Sequence, residues 1–208
     1  MARGEDIKTP LGIVSYAVDL FKARENDSGQ VKYGCTILFA KTTSIAALEA
    51  AALAVAKEEW GEKALQWIKD GIIKSPFLDG DGPQGINKKS GERHAGYAGH
   101  RFIRASSGSD YKPKVFDAKR NPVMDLDGCA SGSQVYAVVN PFTWENPKNG
   151  KGISFGISLV QVAKLATGFD VLGGGGGPDP DKWLETIADE GDAPDATKGG
   201  AGAGGLFG

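Results

Sequence analysis

The chain has 208 residues, of which 40% are hydrophobic, so it is long enough to bury a core within one domain. The formal net charge of −2 conceals two unlike parts: residues 1–177 hold 22 Lys/Arg against 19 Asp/Glu, and residues 178–208 hold 2 against 7. A mildly basic body with an acidic end indicates a nucleic-acid partner or an interaction tail. The chain begins without a signal-peptide pattern and has no long apolar run, so we expect a soluble intracellular protein with no membrane partner.

In the first third of the chain, the pattern predicts a polar arm, two strands and one long helix. Residues 1–10 are polar and predict a flexible N-terminal arm, and the β-rich segments 11–18 and 31–40 predict strands. Residues 44–70 are rich in Ala, Leu, Glu and Lys and predict the principal helix, with an N-cap at Thr43 or Ser44 and a break at Gly61. The apolar residues expected to face the core from this helix are Ile45, Leu48, Ala52 and Val55, and we expect core packing for Trp60 and Trp67.

The remaining elements predict a sheet that closes on itself. A Gly/Pro-rich loop at 70–96 precedes a predicted hairpin of strands 97–106 and 112–117, a short strand at 123–126, and strands at 131–142 and 152–164. We therefore predict a mainly β fold with one principal α-helix. Residues 11–170 would form an antiparallel β-barrel similar to the oligonucleotide-binding fold, and residues 171–208 a Gly-rich linker with a disordered acidic tail. Cys35 and Cys129 are expected to be reduced thiols.

Residues 94–120 interleave aromatic and cationic side chains, as a single nucleic-acid strand requires for stacking and phosphate contact. Strand alternation places His100, Phe102 and Arg104 on one face, and the predicted hairpin would bring Lys114 and Phe116 beside them. The candidate DNA-binding residues are Tyr97, His100, Arg101, Phe102, Arg104, Tyr111, Lys112, Lys114, Phe116, Lys119, Arg120 and Trp144. Further rings that could extend this platform are Tyr16, Tyr33, Tyr136 and Phe142. The alternative is a half-buried sheet with a solvated basic face.

Catalytic and metal signals are weak. His94 and His100 lack zinc-ligand spacing relative to the two cysteines, and no nucleophile–base arrangement stands out. The four aspartates that could form a two-metal nuclease site are Asp79, Asp81, Asp125 and Asp127, although turn formation explains all four. We therefore predict a non-enzymatic protein without metal or other cofactor, and keep the nuclease as an alternative.

The C-terminal tail is a second functional signal. It is acidic and ends in an apolar tip, a combination that suits docking onto partner proteins or competition with DNA for a basic groove. The residues proposed for docking are Asp189, Glu190, Asp192, Asp195, Leu206 and Phe207. A purely solubilising tail is the alternative.

Several motifs together resemble the small single-stranded-DNA-binding proteins of tailed phages, an oligonucleotide-binding-fold group. They are GIVSYAVDLF, KYGCTILFAKTTSIAALEAA, GYAGHRFIRASS followed by KPKVFDAKRNPV, and GSQVYAVVNPFTWENPKNGKGISFGISLVQVAK. The positions that match the family's motif are Tyr97, His100, Arg101, Phe102 and Lys114. The resemblance implies non-catalytic coating of single-stranded DNA in the host cytoplasm during replication and recombination, with replication or recombination proteins reached through the tail. A homodimer is compatible with this interpretation, and a virion structural or assembly protein is the alternative.

Overall fold

The computed structural model of the chain describes residues 1–25, 29–168 and 171–172. Its strands are β1 (Ile7–Lys8), β2 (Gly12–Ser15), β3 (Arg24–Glu25), β4 (Val31–Ala40), β5 (Ile73–Lys74), β6 (Leu78–Asp79), β7 (His100–Gly108), β8 (Lys114–Phe116), β9 (Gln134–Asn146) and β10 (Gly150–Lys164). Its α-helices are α1 (Val18–Phe21), α2 (Ala46–Trp60) and α3 (Ala64–Lys69), with 3-10 turns at Gly61–Lys63 and Pro83–Gly85. The predicted class, mainly β with one principal helix, is confirmed.

Five strands close into a ring in the order β9, β2, β4, β7, β10 and back to β9. The longest pairing is the antiparallel β9–β10 hairpin, which runs from Asn146 opposite Gly150 to Gln134 opposite Lys164. β4 and β7 also pair antiparallel, with Lys32 opposite Gly108 at one end of the ladder. Closure pairs each of the five strands with two neighbours, and β1, β5 and β8 pair with further stretches of β9 and β10.

The predicted antiparallel order is wrong for β10, which pairs in parallel with β5, β7 and β8. β10 has 15 residues, so three shorter strands can follow one another along one of its edges while β9 pairs with the other. The predicted hairpin of 97–106 with 112–117 is therefore also wrong: among the described residues, β7 and β8 pair with β10 and not with each other. β8 is held by its ladder with β10 and by the burial of Val115, which is 4% exposed. Residues 123–126 form no strand, and only Pro122 makes a bridge, to Phe116.

The core lies inside the ring and under α2, as period-2 and period-3.6 patterning dictates. Buried residues alternate along β9, β10 has buried residues in succession at 155–157, and α2 adds the predicted stripe of Ile45, Leu48, Ala52 and Val55, all buried. Gly61 ends α2 with a φ of 66°, at the predicted break. The predicted side-chain cap is absent, because α2 starts after Ile45 with no side-chain cap hydrogen bond. Trp60 and Trp67 pack against the core, as predicted.

Residues 1–10 lie along β9, which differs from the flexible arm expected from their polarity. Ile7 of β1 pairs with Val139, and the Gly4 N–H donates to the Pro141 carbonyl at 2.8 Å. The Ala2 N–H donates to Thr143 Oγ1 at 2.8 Å. The unpaired backbone of this stretch of β9 therefore finds its partners in the arm, a requirement that hydropathy does not reveal.

Cys35 and Cys129 are free thiols, as predicted, and both are buried. No helix in the described parts of the chain combines the length and hydropathy needed to cross a membrane. The proposed tail residues fall in 173–208, outside the residues that the structure describes.

Candidate nucleic-acid interface

Two grooves open side by side where β4 meets β7. The arm groove has a volume of about 510 Å³ and is lined by residues of the N-terminal arm, β4, β7, β9 and β10 together with Tyr111, Lys112 and Lys114. The loop groove has a volume of about 780 Å³ and is lined by the β2–α1 turn, β3, β4, β7 and residues 80–99, which we call the lysine loop. Lys32 and Ser106 line both grooves, so the two adjoin and can serve one extended ligand.

Small residues cross three strands where the grooves adjoin. Gly34 of β4 lies opposite Ser106 of β7, and Ser106 lies opposite Gly156 of β10. A Cβ at Gly34 would sit 2.7 Å from the Ala105 carbonyl oxygen, so a larger residue would displace the strands. Asn140 lies against Gly156, and its buried Oδ1 has no hydrogen-bond partner among the described residues. The glycines of this floor are therefore required by the close packing of the three strands.

Positive charge and aromatic rings border the arm groove. Its cations are Arg3, Lys32, Lys112 and Lys114, and its rings are Tyr111 and Phe142. Tyr111 is 76% exposed, so a face of its ring is open to stacking. Within the described residues, none of the four cations forms an ion pair and no Asp or Glu lines the groove. A polyanion in this groove would meet four cations that form no ion pair within the described residues.

The loop groove is also cationic on balance. Its cations are Arg24, Lys32, Lys88, Lys89 and Arg104, and its acids are Asp19 and Glu25. Arg24 is the cation whose charge is offset, since it pairs with Asp19 at 3.0 Å. The burial of Asp19 raises the pKa of its carboxyl, and Arg24 opposes that rise. Lys88 and Lys89 come from the lysine loop, whereas Arg104 comes from β7.

A ladder of four rings runs from the loop groove into the protein. Successive ring centroids are 5.8 Å apart from Tyr16 to His94, 5.0 Å from His94 to Tyr97 and 4.9 Å from Tyr97 to Phe102. The Tyr16 hydroxyl lies 3.0 Å from His94 Nδ1, within hydrogen-bond distance. Tyr97 and Phe102 are each 1% exposed and pack with Leu38. The two buried rings thus support the two half-buried rings that line the groove.

At the groove end of this ladder, Tyr16 has an uncommon backbone conformation, and burial shifts the pKa values of Tyr16 and His94. Tyr16 has a φ of 59°, an uncommon conformation for a bulky residue, at the turn from β2 into α1. Burial raises the pKa of Tyr16, and burial together with the nearby Arg104 lowers the pKa of His94. His94 is therefore neutral at pH 7. Burial also raises the pKa of Cys35, so the thiol at this groove is not a reactive nucleophile.

The grooves bring together four of the predicted DNA-binding residues at accessible positions. Arg104 lies in the loop groove, and Tyr111, Lys112 and Lys114 lie in the arm groove. Tyr97 and Phe102 were predicted as strand contacts; Tyr97 borders the loop groove, but each residue is 1% exposed, which leaves no ring face for a base. Phe102 lies opposite Leu38 of β4 and Leu78 of β6 and packs with Tyr97, so its ring faces apolar side chains instead of solvent.

The other predicted residues lie outside both grooves. His100 is bound to its own loop, with Nδ1 2.8 Å from the Ala98 carbonyl oxygen. Arg101 donates to the Lys41 carbonyl at 3.0 Å and lies 3.6 Å from Glu49, so it joins β7 to the start of α2. Trp144 packs across Gly152, with the Lys74 ammonium 5.9 Å from its ring centre. Phe116 ends β8, and Lys119 and Arg120 follow it; none of the three lines either groove.

Several groove residues were not among the sequence candidates. These are the cations Arg3, Arg24, Lys32, Lys88 and Lys89 and the imidazole of His94. The adjacent lysines lie in the Gly/Pro-rich loop at 70–96, and loops of that length are typically functional or mobile. Tyr16, Tyr33 and Phe142, named from sequence as extensions of the platform, do line the grooves. No local pattern marks Arg3 or Lys32, because their placement depends on which strands pair.

The aspartates considered for a nuclease are engaged in turns and ion pairs. Asp79 Oδ1 accepts the Asp81 N–H at 3.0 Å, and Asp125 Oδ1 accepts the Asp127 N–H at 3.1 Å. Lys41 lies 2.8 Å from Asp79 and 2.7 Å from Asp81. In the residues described, no cluster of three or more His, Cys, Asp or Glu side chains could hold a metal ion. The nuclease alternative therefore lacks a metal site in this part of the chain.

Comparison with known proteins identifies the relatives of this chain. The sequence matches the family described as Enterobacter phage Enc34, ssDNA-binding protein over residues 9–193. It is 31% identical over 165 residues to protein p50 of Acyrthosiphon pisum secondary endosymbiont phage 1, a match that covers 76% of this chain and 82% of p50.

Two solved structures share the fold. The single-stranded DNA-binding protein from bacteriophage Enc34, in complex with ssDNA, has a TM-score of 0.60 at 22% identity, over 79% of this chain and 89% of that chain. The single-stranded DNA-binding protein gp2.5 of bacteriophage T7 has a TM-score of 0.53 at 15% identity, over 92% of this chain and all of that chain (100%).

Proposed function

The chain belongs to the family described as Enterobacter phage Enc34, ssDNA-binding protein, and on that premise we propose that it binds single-stranded DNA, independently of base sequence, in the arm groove and the loop groove. The role is non-catalytic. It coats and protects exposed strands during phage replication and recombination in the host cytoplasm.

The proposal rests mainly on one observation: cations that form no ion pair lie beside aromatic rings along two adjoining grooves. Phosphates need positive charge wherever they lie, and every base offers a face to a ring, so this combination suits any sequence. The arm groove supplies Lys112, Lys114 and the exposed ring of Tyr111, whereas the loop groove supplies Arg104 and the lysine loop. Each stacked base is expected to contribute about 1–3 kcal/mol.

The position of the grooves supports an oligonucleotide-binding-type barrel for residues 11–170. In that fold the faces of the second and third strands, with the adjoining loops, bind nucleic acid. Starting from β2, the second and third strands of the ring are β4 and β7, and the grooves adjoin over Gly34 and Ser106 of these two strands.

For the end of the chain, residues 171–208, we retain the tail roles expected from composition. The acidic segment, including Asp189, Glu190, Asp192 and Asp195, would compete with DNA for the cationic grooves or dock onto replication or recombination proteins. The apolar tip, Leu206 and Phe207, would fill a pocket on such a partner. If the tail competes with DNA, deletion of residues 178–208 tightens oligo-dT binding.

A salt titration tests the function. Fluorescence anisotropy of labelled oligo-dT should report affinity that falls with salt, with a log–log slope of about −0.7 for each neutralised phosphate. The triple variant Lys32→Ala/Lys112→Ala/Lys114→Ala removes three groove cations, and the matched control Lys57→Ala/Lys63→Ala/Lys69→Ala removes three exposed cations of α2 and its neighbours.

The groove variant should bind more weakly with a shallower slope, while the control follows the unaltered chain. No binding at about 50 mM salt, with or without residues 178–208, would reject the proposal and favour the virion assembly alternative. Equal losses in both triple variants would place the binding surface elsewhere.

A further inference from the structure

We propose that Lys41, Asp81 and Arg93, which touch neither groove, are positioning residues that clamp the base of the lysine loop and so hold Lys88 and Lys89 at the loop groove. This role rests on the proposed function, because Lys41, Asp81 and Arg93 would affect DNA binding only by positioning other residues of the strand-binding surface.

The two ends of the lysine loop meet at Lys41, just beyond β4. The Lys41 ammonium lies 2.8 Å from Asp79 Oδ1 and 2.7 Å from Asp81 Oδ2. The Lys41 N–H donates to the Gly99 carbonyl at 3.2 Å, and the Asp81 carboxylate accepts the Gly99 N–H at 3.0 Å. One lysine and one aspartate therefore join the outgoing and returning ends of the loop to the end of β4.

Arg93 adds a second tie across the same base. Its guanidinium donates from Nη1 to the Gly80 carbonyl and from Nη2 to the Asp81 carbonyl, the latter at 3.1 Å. The chain is packed tightly here, since a Cβ on Gly80 would lie 2.0 Å from the Tyr97 carbonyl oxygen. The Gly80 N–H donates to the His100 carbonyl at 2.8 Å. The base is a closed set of polar contacts around a position that only glycine fits.

Hydrogen bonds connect this base to the lysine-bearing tip. Ile86 and Arg93 form a bridge, the Asn87 N–H donates to the Glu92 carbonyl at 2.7 Å, and the Gly91 N–H donates to the Asn87 carbonyl at 2.8 Å. Lys88 and Lys89 lie between these bonds and are exposed on the wall of the loop groove. Loosening the base releases the bridge through Arg93, so it also frees the tip.

The clamp differs from an isolated surface ion pair, which typically contributes little because two mobile side chains must be ordered. Lys41 has two carboxylate partners, and each carboxylate also accepts a backbone N–H, so neither partner is ordered by the ion pair alone. These contacts lower the pKa values of Asp79 and Asp81, with the hydrogen bond from Lys41 as the main cause in each. Both carboxylates therefore stay charged across the physiological range.

The variant Asp81→Ala distinguishes a clamp from a passive surface charge, because the two roles predict opposite changes in affinity for DNA. Removing a negative charge from an otherwise passive surface tightens DNA binding slightly. Removing the clamp weakens it, by about fivefold for a loss comparable to one well-held ion pair. The probe is labelled oligo-dT at about 50 mM salt. Weaker binding by Asp81→Ala supports the clamp, and unchanged or tighter binding overturns it.

A double-mutant cycle separates positioning from direct contact by Lys41. If Lys41 acts through the tip, Lys41→Ala weakens binding in the unaltered chain but adds little in a Lys88→Ala/Lys89→Ala background. If the losses simply add, Lys41 contacts the strand itself and the positioning role is wrong. Lys57→Ala is the matched control, because it removes one exposed lysine of α2 outside both grooves.

Limited trypsin digestion without DNA gives an independent readout. Cleavage after Lys88 and Lys89 should accelerate several-fold in Asp81→Ala and Lys41→Ala, with Lys41→Arg and Lys57→Ala close to the unaltered chain. Unchanged cleavage would overturn the clamp. If the unaltered chain fails to bind oligo-dT while cleavage responds as expected, the proposed function fails and the clamp survives only as a structural tie. Equal melting temperatures exclude global unfolding as the cause.

Discussion

The two halves of β7 each carry an arginine, and the structure places these halves in opposite environments. The first half, His100–Ile103, is tied into the protein: Phe102 is buried, and Arg101 is bonded to the segment that leads into α2. The second half, Arg104–Gly108, lines the two grooves with an exposed guanidinium and small residues. Sequence alternation treats both halves as one platform. The difference comes from what packs around each half: Leu38, Tyr97 and Leu78 surround Phe102, whereas Arg104 and Ser106 line the grooves.

An aromatic or cationic residue of this strand is accessible to a ligand only where no other part of the chain packs over it. The buried half still serves the exposed half, since Tyr97 and Phe102 support His94 and Tyr16 at the groove. Substitutions in the first half should therefore change stability, and substitutions in the second half should change affinity for single strands.

The largest effect is expected from Phe102→Ala, at the buried centre of the first half. Truncating a buried Phe leaves a cavity and costs about 3–5 kcal/mol of unfolding free energy. Urea denaturation followed by far-UV circular dichroism measures the loss, with Phe102→Leu as the milder control. A cost below about 1 kcal/mol would show that Phe102 is more accessible than its 1% exposure indicates.

For the open side of the comparison, Tyr111→Ala should weaken oligo-dT binding by about 1–3 kcal/mol, the contribution of one stacked base. Because the ring is 76% exposed, unfolding free energy should change little. Tyr111→Phe keeps the ring and should retain the affinity. Equal affinities for Tyr111→Ala and the unaltered chain would exclude this ring from the strand path.

Arg101 and Arg104 provide the most closely matched pair, three residues apart on one strand. Arg104→Ala should reduce the salt slope of oligo-dT binding by about 0.7, the value for one phosphate contact. Arg101→Ala should keep the slope and lower the unfolding free energy by about 1–2 kcal/mol, because it loses hydrogen bonds to two backbone carbonyls. The comparison is wrong if Arg101→Ala reduces the salt slope and Arg104→Ala instead lowers the unfolding free energy.

The smallest effect is expected for the protonation of His94, which lies between the buried ring of Tyr97 and the loop groove. Burial lowers the pKa of its imidazole below 6.5, so the unfolded chain binds the proton more readily. The contribution of neutral His94 to stability is complete above pH 6.5 and is lost as the pH falls toward the folded pKa. Glu59, Asp79 and Asp81 have lowered pKa values, and their contributions are lost in a separate window at lower pH.

Melting temperatures of the unaltered chain and His94→Gln between pH 8 and 5 measure this term. The unaltered chain should lose more stability than the variant below pH 6.5. Parallel curves would show that His94 titrates alike in the folded and unfolded chains.

The sequence predicts the elements of this fold better than their partners. Helix α2 and its buried stripe, the break at Gly61, and strands β4, β9 and β10 follow from period and turn chemistry. The parallel ladders of β10 and the docking of residues 1–10 do not, because pairing between distant segments leaves no local period.

For the candidate interface, too, the sequence predicts which residue types are present better than which of them are exposed. Composition identifies residues 94–120 as cationic and aromatic, and Arg104, Tyr111, Lys112 and Lys114 do line the grooves. It does not separate these residues from Phe102 or Arg101, because burial depends on β4, β6 and α2. Lys32 lies in a plain strand pattern, and only the pairing of Gly34 with Ser106 makes its neighbourhood a groove.

Ultraviolet cross-linking of oligo-dT to the full chain, followed by mass spectrometry, tests the central claim most directly. The account predicts cross-links at Tyr111, Phe142, Tyr33 and other residues that line the arm groove and the loop groove, and none at Trp60 or Trp67, which pack against the core. Cross-links confined to residues 116–120 or to Trp144 would contradict it.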